Sequence, residues 1–179
     1  MDQLTAHRRA ADVFAGVLAI VKPDQLQDPT PCPDWNVRAL IDHVVNGNNL
    51  VAGRAAEAAG DLEPAFADAA AAAHQTFAAP DGLTRIMDMP FGKVPGGVFI
   101  GIRSIDTFVH AWDLAKATGQ ATDLDPELAE ALLQVAKERI APGFRGPGKA
   151  FADEQACPPD GSAADRLAAF MGRPIDSAG

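Results

Sequence analysis

Two acidic residues and a histidine share one stretch of the chain that is otherwise mostly apolar. Asp106 and His110 are four residues apart, and Asp113 follows three residues later. The surrounding stretch, Ser104–Ala115, contains neither Pro nor Gly and is predicted to be a helix. One turn of such a helix places Asp106 and His110 on the same face. Because a buried carboxylate or imidazole needs a partner, this placement requires an explanation.

Two explanations compete for this pair. In the first, Asp106 and His110 simply hydrogen-bond to each other. In the second, they are two ligands of a metal site, for which a helix is a good platform. The second explanation needs a third ligand from elsewhere, and His43 is the candidate. By itself, a histidine placed like His43, beside the apolar face of a helix, is more often a core residue than a ligand.

Several other residues have chemical potential with open alternatives. Asp113 either orients His110 through its second ring nitrogen or is a surface carboxylate. Arg103 either binds an acidic substrate or pairs with Asp106, and pairing is expected to be incompatible with metal ligation by Asp106. Cys32 is interpreted as a small apolar contact rather than a reactive thiol. His7 is expected at the surface or an edge, and His74 in an exposed or capping position.

The rest of the pattern is helical. Helices are predicted over 3–22, 37–57, 63–79 and 98–118, followed by one that starts at Asp125–Pro126 and stops at Pro142, and a short one from Ser162 to Met171. Asn36, Asp125 and Ser162 are the predicted N-caps of three of them. Residues 28–36 form a proline-rich loop, which Trp35 is expected to anchor. Residues 83–97 are expected to be a short hairpin or an ordered loop, with strand signals too weak for a sheet, and residues 143–160 a loop.

Composition excludes several classes of function. The 179 residues are enough for one domain, assigned to 1–179, and carry a net charge of −9, which argues against nucleic acid or anionic membranes as partners. No apolar run is long enough for a membrane span, and the N-terminus does not resemble a signal peptide. Two distant cysteines fit a reducing cytoplasm. The predicted fold is an all-α, up-and-down four-helix bundle with extra C-terminal helices.

Four blocks of sequence resemble a known family. They are Thr30-Pro-Cys-Pro-Asp-Trp-Asn-Val-Arg-Ala-Leu-Ile-Asp-His43, Pro90-Phe-Gly-Lys-Val-Pro95, Asp106-Thr-Phe-Val-His110-Ala-Trp-Asp-Leu-Ala115, and the tail Asp165-Arg-Leu with Gly172-Arg-Pro174. Together they resemble the actinobacterial metal-binding branch of the DinB-like superfamily. That branch is related to the N-terminal domain of mycothiol-dependent maleylpyruvate isomerase. The resemblance covers nearly the whole chain.

The resemblance implies a four-helix bundle that binds Zn or Ni through three side chains, matched here by His43, Asp106 and His110. In the isomerase the acidic ligand is a Glu, so the shorter Asp106 is expected either to shift the metal or to bind it through water. The isomerase also has a C-terminal domain that helps to bind the thiol, and this chain is expected to lack it. Isomerase activity itself is therefore not implied.

The functional hypothesis is a metal-dependent transferase or isomerase that acts with a low-molecular-weight thiol, such as mycothiol, on a small electrophile. Asp113 and Arg103 would support the ligands from behind. The alternatives are a non-catalytic metal-binding or stress-related protein, and a purely structural bundle with a buried His/Asp network. A homodimer is expected because bundles of this kind often pair through a helix face.

Overall fold

A computed structural model describes residues 1–56, 60–89, 92–140, 143, 145–146 and 151–175. The fold of this described part is mostly helical. It contains six α-helices and one two-stranded antiparallel hairpin: α1 Gln3–Leu18, α2 Val37–Val51, α3 Leu62–Ala78, β1 Ile86–Met89, β2 Gly92–Pro95, α4 Gly96–Ala117, α5 Pro126–Arg139 and α6 Ala163–Phe170. A 3-10 helix at Pro23–Gln27 links α1 to the loop before α2.

Helix α4 is the central element. Sixteen of its 22 residues are buried, so it is covered on most sides, whereas a surface helix buries one stripe. Its side chains enter three apolar clusters. Leu114 packs with Phe14 of α1 and Leu40 of α2; Trp112 packs among α5 and α6; Phe99 packs with Phe77 of α3.

Around α4, helix α3 lies in contact with both α1 and α2. Helix α1 lies against α3 and α4, and α2 lies against the same two helices. Helices α5 and α6 pack together on another side of α4. This arrangement brings residues of α2, α4 and the segment after α6 to the walls of one pocket. No helix among the described residues is both long and apolar enough to cross a bilayer.

Predicted helix starts are confirmed by their caps. Asn36 accepts a hydrogen bond from the backbone N–H of Ala39, and Asp125 accepts one from that of Leu128. Ser162 and Asp165 form the predicted capping box at the start of α6.

Two predicted helix ends are wrong. Helix α1 ends at Leu18, four residues early, and Lys22 is already extended before Pro23, as residues before proline prefer. Helix α2 ends at Val51 because Gly53 takes a positive φ of 68° and the chain turns there. The Pro142 stop, residue 57, and Pro90 and Phe91 of the quoted motif lie outside the described residues.

The segment before α4 is a hairpin, which decides between the two predicted alternatives. Met87 pairs with Val94 and Asp88 pairs with Lys93, so the expectation that no sheet would form is corrected. Met87 is buried beside Phe77 and Phe99 while Ile86 is exposed, which is the alternation of a one-sided strand. The hairpin leads directly into α4 and fixes where that helix starts.

Candidate metal centre

The loop before α2 forms one wall of the site. It is closed by hydrogen bonds: Thr30 Oγ1 donates to the carbonyl of Trp35 at 2.8 Å, and the N–H of Val37 donates to the carbonyl of Asp28 at 3.0 Å. The loop thereby holds the half-buried Trp35 against α2. Trp35 packs against His43 with ring centroids 4.4 Å apart and lies 5.5 Å from the ring of His110. Its role is thus to pack against the site as well as to anchor the loop.

The three predicted ligands converge. His43 comes from α2, while Asp106 and His110 come from successive turns of α4. One ligand atom from each lies within 4.8 Å of the others. Asp106 Oδ1 lies between the two imidazoles, 3.5 Å from His43 Nε2 and 3.6 Å from His110 Nε2. The described helices therefore bring together the residues that the resemblance pairs across 67 positions of sequence.

These separations fit a metal better than a hydrogen-bonded network. Ordinary N–H···O hydrogen bonds span about 2.7–3.2 Å, shorter than either distance. Two ligands of a tetrahedral zinc at about 2.0–2.1 Å from the ion lie roughly 3.3 Å apart, close to what is seen. His43 Nε2 is a buried nitrogen that makes no hydrogen bond within the described part of the chain. The donor set of two imidazoles and one carboxylate suits Zn or Ni.

Arg103 occupies the other oxygen of Asp106. Its Nη1 donates to Asp106 Oδ2 at 2.8 Å, which leaves Oδ1 facing the histidines. The predicted pairing of Arg103 with Asp106 is therefore present, and because a carboxylate has two oxygens it does not occupy the one that faces the histidines. Arg103 is 5% exposed, and its guanidinium packs behind Asp106 beside Asn48, outside the pocket lining. A Cβ at Gly47 would lie 2.6 Å from Arg103 Cζ, so this glycine makes room for the arginine.

Asp113 lies behind His110. Its Oδ2 accepts from His110 Nδ1 at 2.9 Å, and the side chain is fully buried, so the surface alternative for Asp113 is wrong. Arg173, from the segment after α6, donates to the same carboxylate through Nη2 at 2.8 Å. Cys32 Sγ lies 3.4 Å from Asp113 Oδ2 and 3.2 Å from Arg173 Nη2, so Cys32 has polar neighbours and is not the apolar contact that was expected.

The electrostatics follow from this order of charges. Burial by itself would raise the pKa of Asp106, but Arg103 and His110 outweigh it and hold that pKa well below its usual value. Burial would lower the pKa of His110, yet Asp106 and Asp113 raise it well above the usual value. Likewise the pKa of Asp113 is lowered by His110 and Arg173 against the effect of burial. Two carboxylates are thus kept charged around the imidazole of His110.

The ligands open onto a pocket of about 370 Å³. Its walls are mainly apolar and come from the proline-rich loop, α4 and the segments that flank α6. They include Pro31, Trp35, Val109, Phe151 and Met171, with Cys32, Asp34 and Arg173 as polar members. An ion held by three protein groups beside such a pocket keeps coordination positions for small molecules, as catalytic sites do.

Sequence reasoning missed two features here. Arg173 was part of the quoted tail but had no assigned role, since nothing in the spacing shows that it reaches a residue 60 positions away. His7, expected at the surface or an edge, was misplaced, whereas His74 is only half-buried. His7 is 3% exposed and lies against Phe77, while His74 stacks on His7 and contacts Arg8.

Comparison with known proteins identifies the family. Residues 7–89 match the model of the mycothiol maleylpyruvate isomerase N-terminal domain. Two proteins of Mycobacterium tuberculosis are each 53% identical over 184 residues, covering 98% of this chain and 100% of their own: uncharacterized protein MT0763 of strain CDC 1551 / Oshkosh and uncharacterized protein Rv0738 of strain ATCC 25618 / H37Rv. No solved structure matches the chain.

The chain therefore belongs to the mycothiol-related, DinB-like family of the maleylpyruvate isomerase N-terminal domain, as its motifs predict. The matched range includes His43 but ends before α4. The roles of Asp106 and His110 therefore depend on the geometry described above and on the resemblance of the α4 motif.

Proposed function

We propose that this chain is one DinB-like domain with a four-helix bundle that binds a divalent metal, Zn or Ni, through His43, Asp106 and His110. The observation that carries the proposal is the position of Asp106 Oδ1, 3.5 Å and 3.6 Å from the two Nε2 atoms at the edge of an open pocket. The metal-free structural bundle is disfavoured because these contacts are too long for good hydrogen bonds.

We further propose that the chain is a transferase or isomerase that uses a low-molecular-weight thiol, such as mycothiol, on a small electrophile. A bound divalent metal would supply a Lewis acid that lowers the pKa of a thiol and polarises a carbonyl group. The family match supports the thiol, and the pocket supports a small-molecule substrate. A homodimer stays a prediction.

The residues around the ligands have separable tasks in this proposal. Arg103 holds one oxygen of Asp106 and leaves the other free to bind the ion. Asp113 accepts a hydrogen bond from His110 Nδ1–H, so that His110 Nε2 is the nitrogen that faces Asp106 and is left to bind the ion. Trp35 packs on His43 and, together with Pro31, limits the access of water from the loop side.

The test is a thiol-consumption assay with mycothiol and two electrophile classes, an activated aryl chloride and an α,β-unsaturated ketone. With the chloride, a C–S bond forms, the C–Cl bond breaks, and chloride and a proton leave. With the ketone, the S–H adds across the C=C bond. We expect turnover only with metal-loaded protein, loss in His110→Ala, and retention in His74→Ala, the matched control outside the site.

A metal-loaded protein that consumes no thiol with either electrophile class would favour the non-catalytic alternative. Equal turnover with and without metal would contradict the proposed role of the ligands. Equal loss in His74→Ala and His110→Ala would point to a general loss of folding, which thermal unfolding of both variants would reveal.

A further inference from the structure

Arg173 makes a two-point contact with a buried carboxylate. Its Nε donates to Asp113 Oδ1 at 3.1 Å and its Nη2 donates to Asp113 Oδ2 at 2.8 Å. The planar guanidinium matches both oxygens at once, which fixes the carboxylate in angle as well as in distance. Nη1 donates to the carbonyl of Met171 at 3.0 Å, so the arginine is also fixed to its own backbone.

The segment after α6 is built to deliver this side chain. Gly172 takes a positive φ of 91°, and the N–H groups of Gly172 and Arg173 bond back to the carbonyls of Ala169 and Ala168. These are the closing bonds of a glycine-terminated helix. A Cβ at Gly172 would come within 2.5 Å of the Cβ of Ala152, so the position has no room for a side chain.

The other end of α6 is fixed to the same region of α4. Trp112, the residue before Asp113 on α4, donates through Nε1 to Asp165 Oδ1 at 2.8 Å. Asp165 also accepts from the N–H of Ser162 in the capping box. Two contacts at opposite ends of α6 therefore hold the helix against α4, and the reach of Arg173 is set by the fold and not by a flexible tail.

Asp113, held in place by Arg173, in turn orients the imidazole of His110 through a hydrogen bond. The carboxylate is fully buried and lies between two donors, His110 Nδ1 at 2.9 Å and the guanidinium of Arg173. Because a carboxylate only accepts hydrogen bonds, His110 Nδ1 must carry a proton. His110 Nε2 is then the nitrogen that is left to bind a metal ion together with His43 and Asp106. Removing Arg173 would leave a buried carboxylate with fewer partners, and it would then rotate or draw in water.

We infer that Arg173 is a positioning residue of the metal centre: it fixes Asp113, which in turn fixes the imidazole of His110 with Nε2 toward His43 and Asp106. The inference rests on the proposed function, because it concerns the same site. It adds that the segment after α6, outside the matched family range, completes that site. Cys32 Sγ, 3.2 Å from Nη2, shares the guanidinium and closes the arrangement on the loop side.

The first experiment measures zinc affinity by competition with a chromophoric chelator for wild type, Arg173→Ala, Arg173→Lys and Arg166→Ala. We expect Arg173→Ala to bind zinc about 10–100-fold more weakly, the usual effect of losing a partner of a metal-bound histidine. Lysine cannot reproduce the two-point contact, so Arg173→Lys should recover only part of the loss. Arg166 is an exposed arginine of α6 paired with Glu130, and its removal should change the affinity less than twofold.

The second experiment restores the missing group. Guanidinium ion, added far below the concentrations that unfold proteins, should recover zinc affinity in Arg173→Ala while leaving wild type and Arg166→Ala unchanged. An ion that only screens charge would act equally on all three proteins. Sodium at the same ionic strength is the control for screening.

The third experiment controls for misfolding, because Arg173→Ala leaves the buried carboxylate of Asp113 without its arginine partner. Asp113→Asn removes that charge, and the double variant Arg173→Ala/Asp113→Asn removes the pair. If Arg173 acts through Asp113, the affinity loss in the double variant should be no larger than in Asp113→Asn alone. Losses that multiply, or wild-type affinity in Arg173→Ala, would overturn the inference.

A metal-independent measurement separates this inference from the proposed function. In protein labelled with 15N-histidine and free of metal, the Nδ1–H signal of His110 should be visible because Asp113 holds it in a buried hydrogen bond. It should broaden in Arg173→Ala and sharpen again with guanidinium. If the wild type binds no metal, the proposed function fails and this signal still tests the positioning role; an unchanged signal in Arg173→Ala refutes that role.

Discussion

The molecule contains two pairs of histidines, each joining two helices, and their surroundings are opposite. His7 of α1 and His74 of α3 stack with ring centroids 5.8 Å apart and an interplanar angle of 22°. His43 of α2 and His110 of α4 meet edge to face at 5.0 Å and 76°. The residue types are the same, so the difference between the pairs must come from their neighbours.

The neighbours of the first pair discourage a positive charge. Burial, and then the charges of His74 and Arg103, lower the pKa of His7 to about 4. The pKa of His74 is also lowered, by burial and by the charge of Arg8, whose guanidinium lies 2.8 Å from His74 Nε2. This pair is therefore neutral near pH 7 and packs like an aromatic contact beside Phe77.

The second pair has a carboxylate between its rings and another behind one of them. Asp106 faces both Nε2 atoms, and Asp113 accepts from His110 Nδ1. A cation is therefore favoured there, whether a proton or a metal ion. The carboxylates of Asp106 and Asp113 are therefore what makes the second histidine pair, and not the first, a candidate metal centre.

The largest expected effect concerns the acid between the second pair. Asp106→Ala should weaken zinc binding on the order of 1,000-fold, beyond the 10–100-fold that is typical when only a hydrogen-bond partner of a ligand is removed. Asp106→Glu, which restores the acid of the isomerase, should stay within about tenfold of wild type. Asp12→Ala removes the acid whose charge acts on His74 of the first pair, and it should change zinc affinity negligibly. Chelator competition measures all three, and equal effects of Asp106→Ala and Asp12→Ala would erase the contrast.

The low pKa of His7, in the first pair, should be visible in the pH dependence of the free energy of unfolding. The folded state holds His7 at a pKa of about 4, below the 6.5 of an unfolded histidine, so the unfolded state takes up the proton first. This contribution is complete above about pH 6.5 and is lost as the pH falls toward 4, by about 3 kcal/mol. The measurement is urea unfolding of wild type and His7→Leu at pH 7 and at pH 4. Between these two pH values the free energy of unfolding should fall by about 3 kcal/mol less in His7→Leu than in wild type. Equal falls in both proteins would refute the low pKa of His7.

Metal binding should stabilise the fold through the second pair alone. At a free zinc concentration of about 100 times Kd, the stabilisation is about 2.7 kcal/mol. For a chain of this size, that corresponds to a rise in Tm of about 5–10 °C. The rise should vanish in His43→Ala and persist in His74→Ala. A rise that survives in His43→Ala would place the metal elsewhere.

The smallest effect tests the room made for Arg103. In Gly47→Ala the new Cβ collides with the guanidinium, which must leave its contact with Asp106, at a cost of about 1–2 kcal/mol. Gly16→Ala of α1 is the matched control, since no other group in the described part of the chain lies within 4 Å of its Cβ position, and it should stabilise by about 0.5–1 kcal/mol. Urea midpoints measure both, and equal stabilisation would show that Arg103 moves freely.

Local chemistry made part of this structure predictable. The proline and cap signals at Asn36, Asp125 and Ser162 start helices where expected, because capping depends on residues three positions away. The four-residue spacing of Asp106 and His110 placed both on one face of α4, as helix geometry requires. The place of His43 came from the resemblance, since no local rule pairs α2 with α4.

Tertiary packing decided the rest. Arg173 and Cys32 are 141 positions apart and meet only because α6 docks on α4. His7 was expected near the surface, but helix α1 is covered by both α3 and α4, and its polar histidine is enclosed between them. Helix ends at Leu18 and Val51 also depended on backbone turns that apolar periodicity does not encode.

The central claim is that the second histidine pair, with Asp106, binds a metal ion. The most direct test is the metal content of untagged protein, purified without chelator and measured by inductively coupled plasma mass spectrometry. We expect close to one equivalent of Zn or Ni in wild type, His7→Ala and His74→Ala, and almost none in His43→Ala and His110→Ala. Wild-type protein that holds no metal, and takes up none when Zn or Ni is added, would contradict the claim.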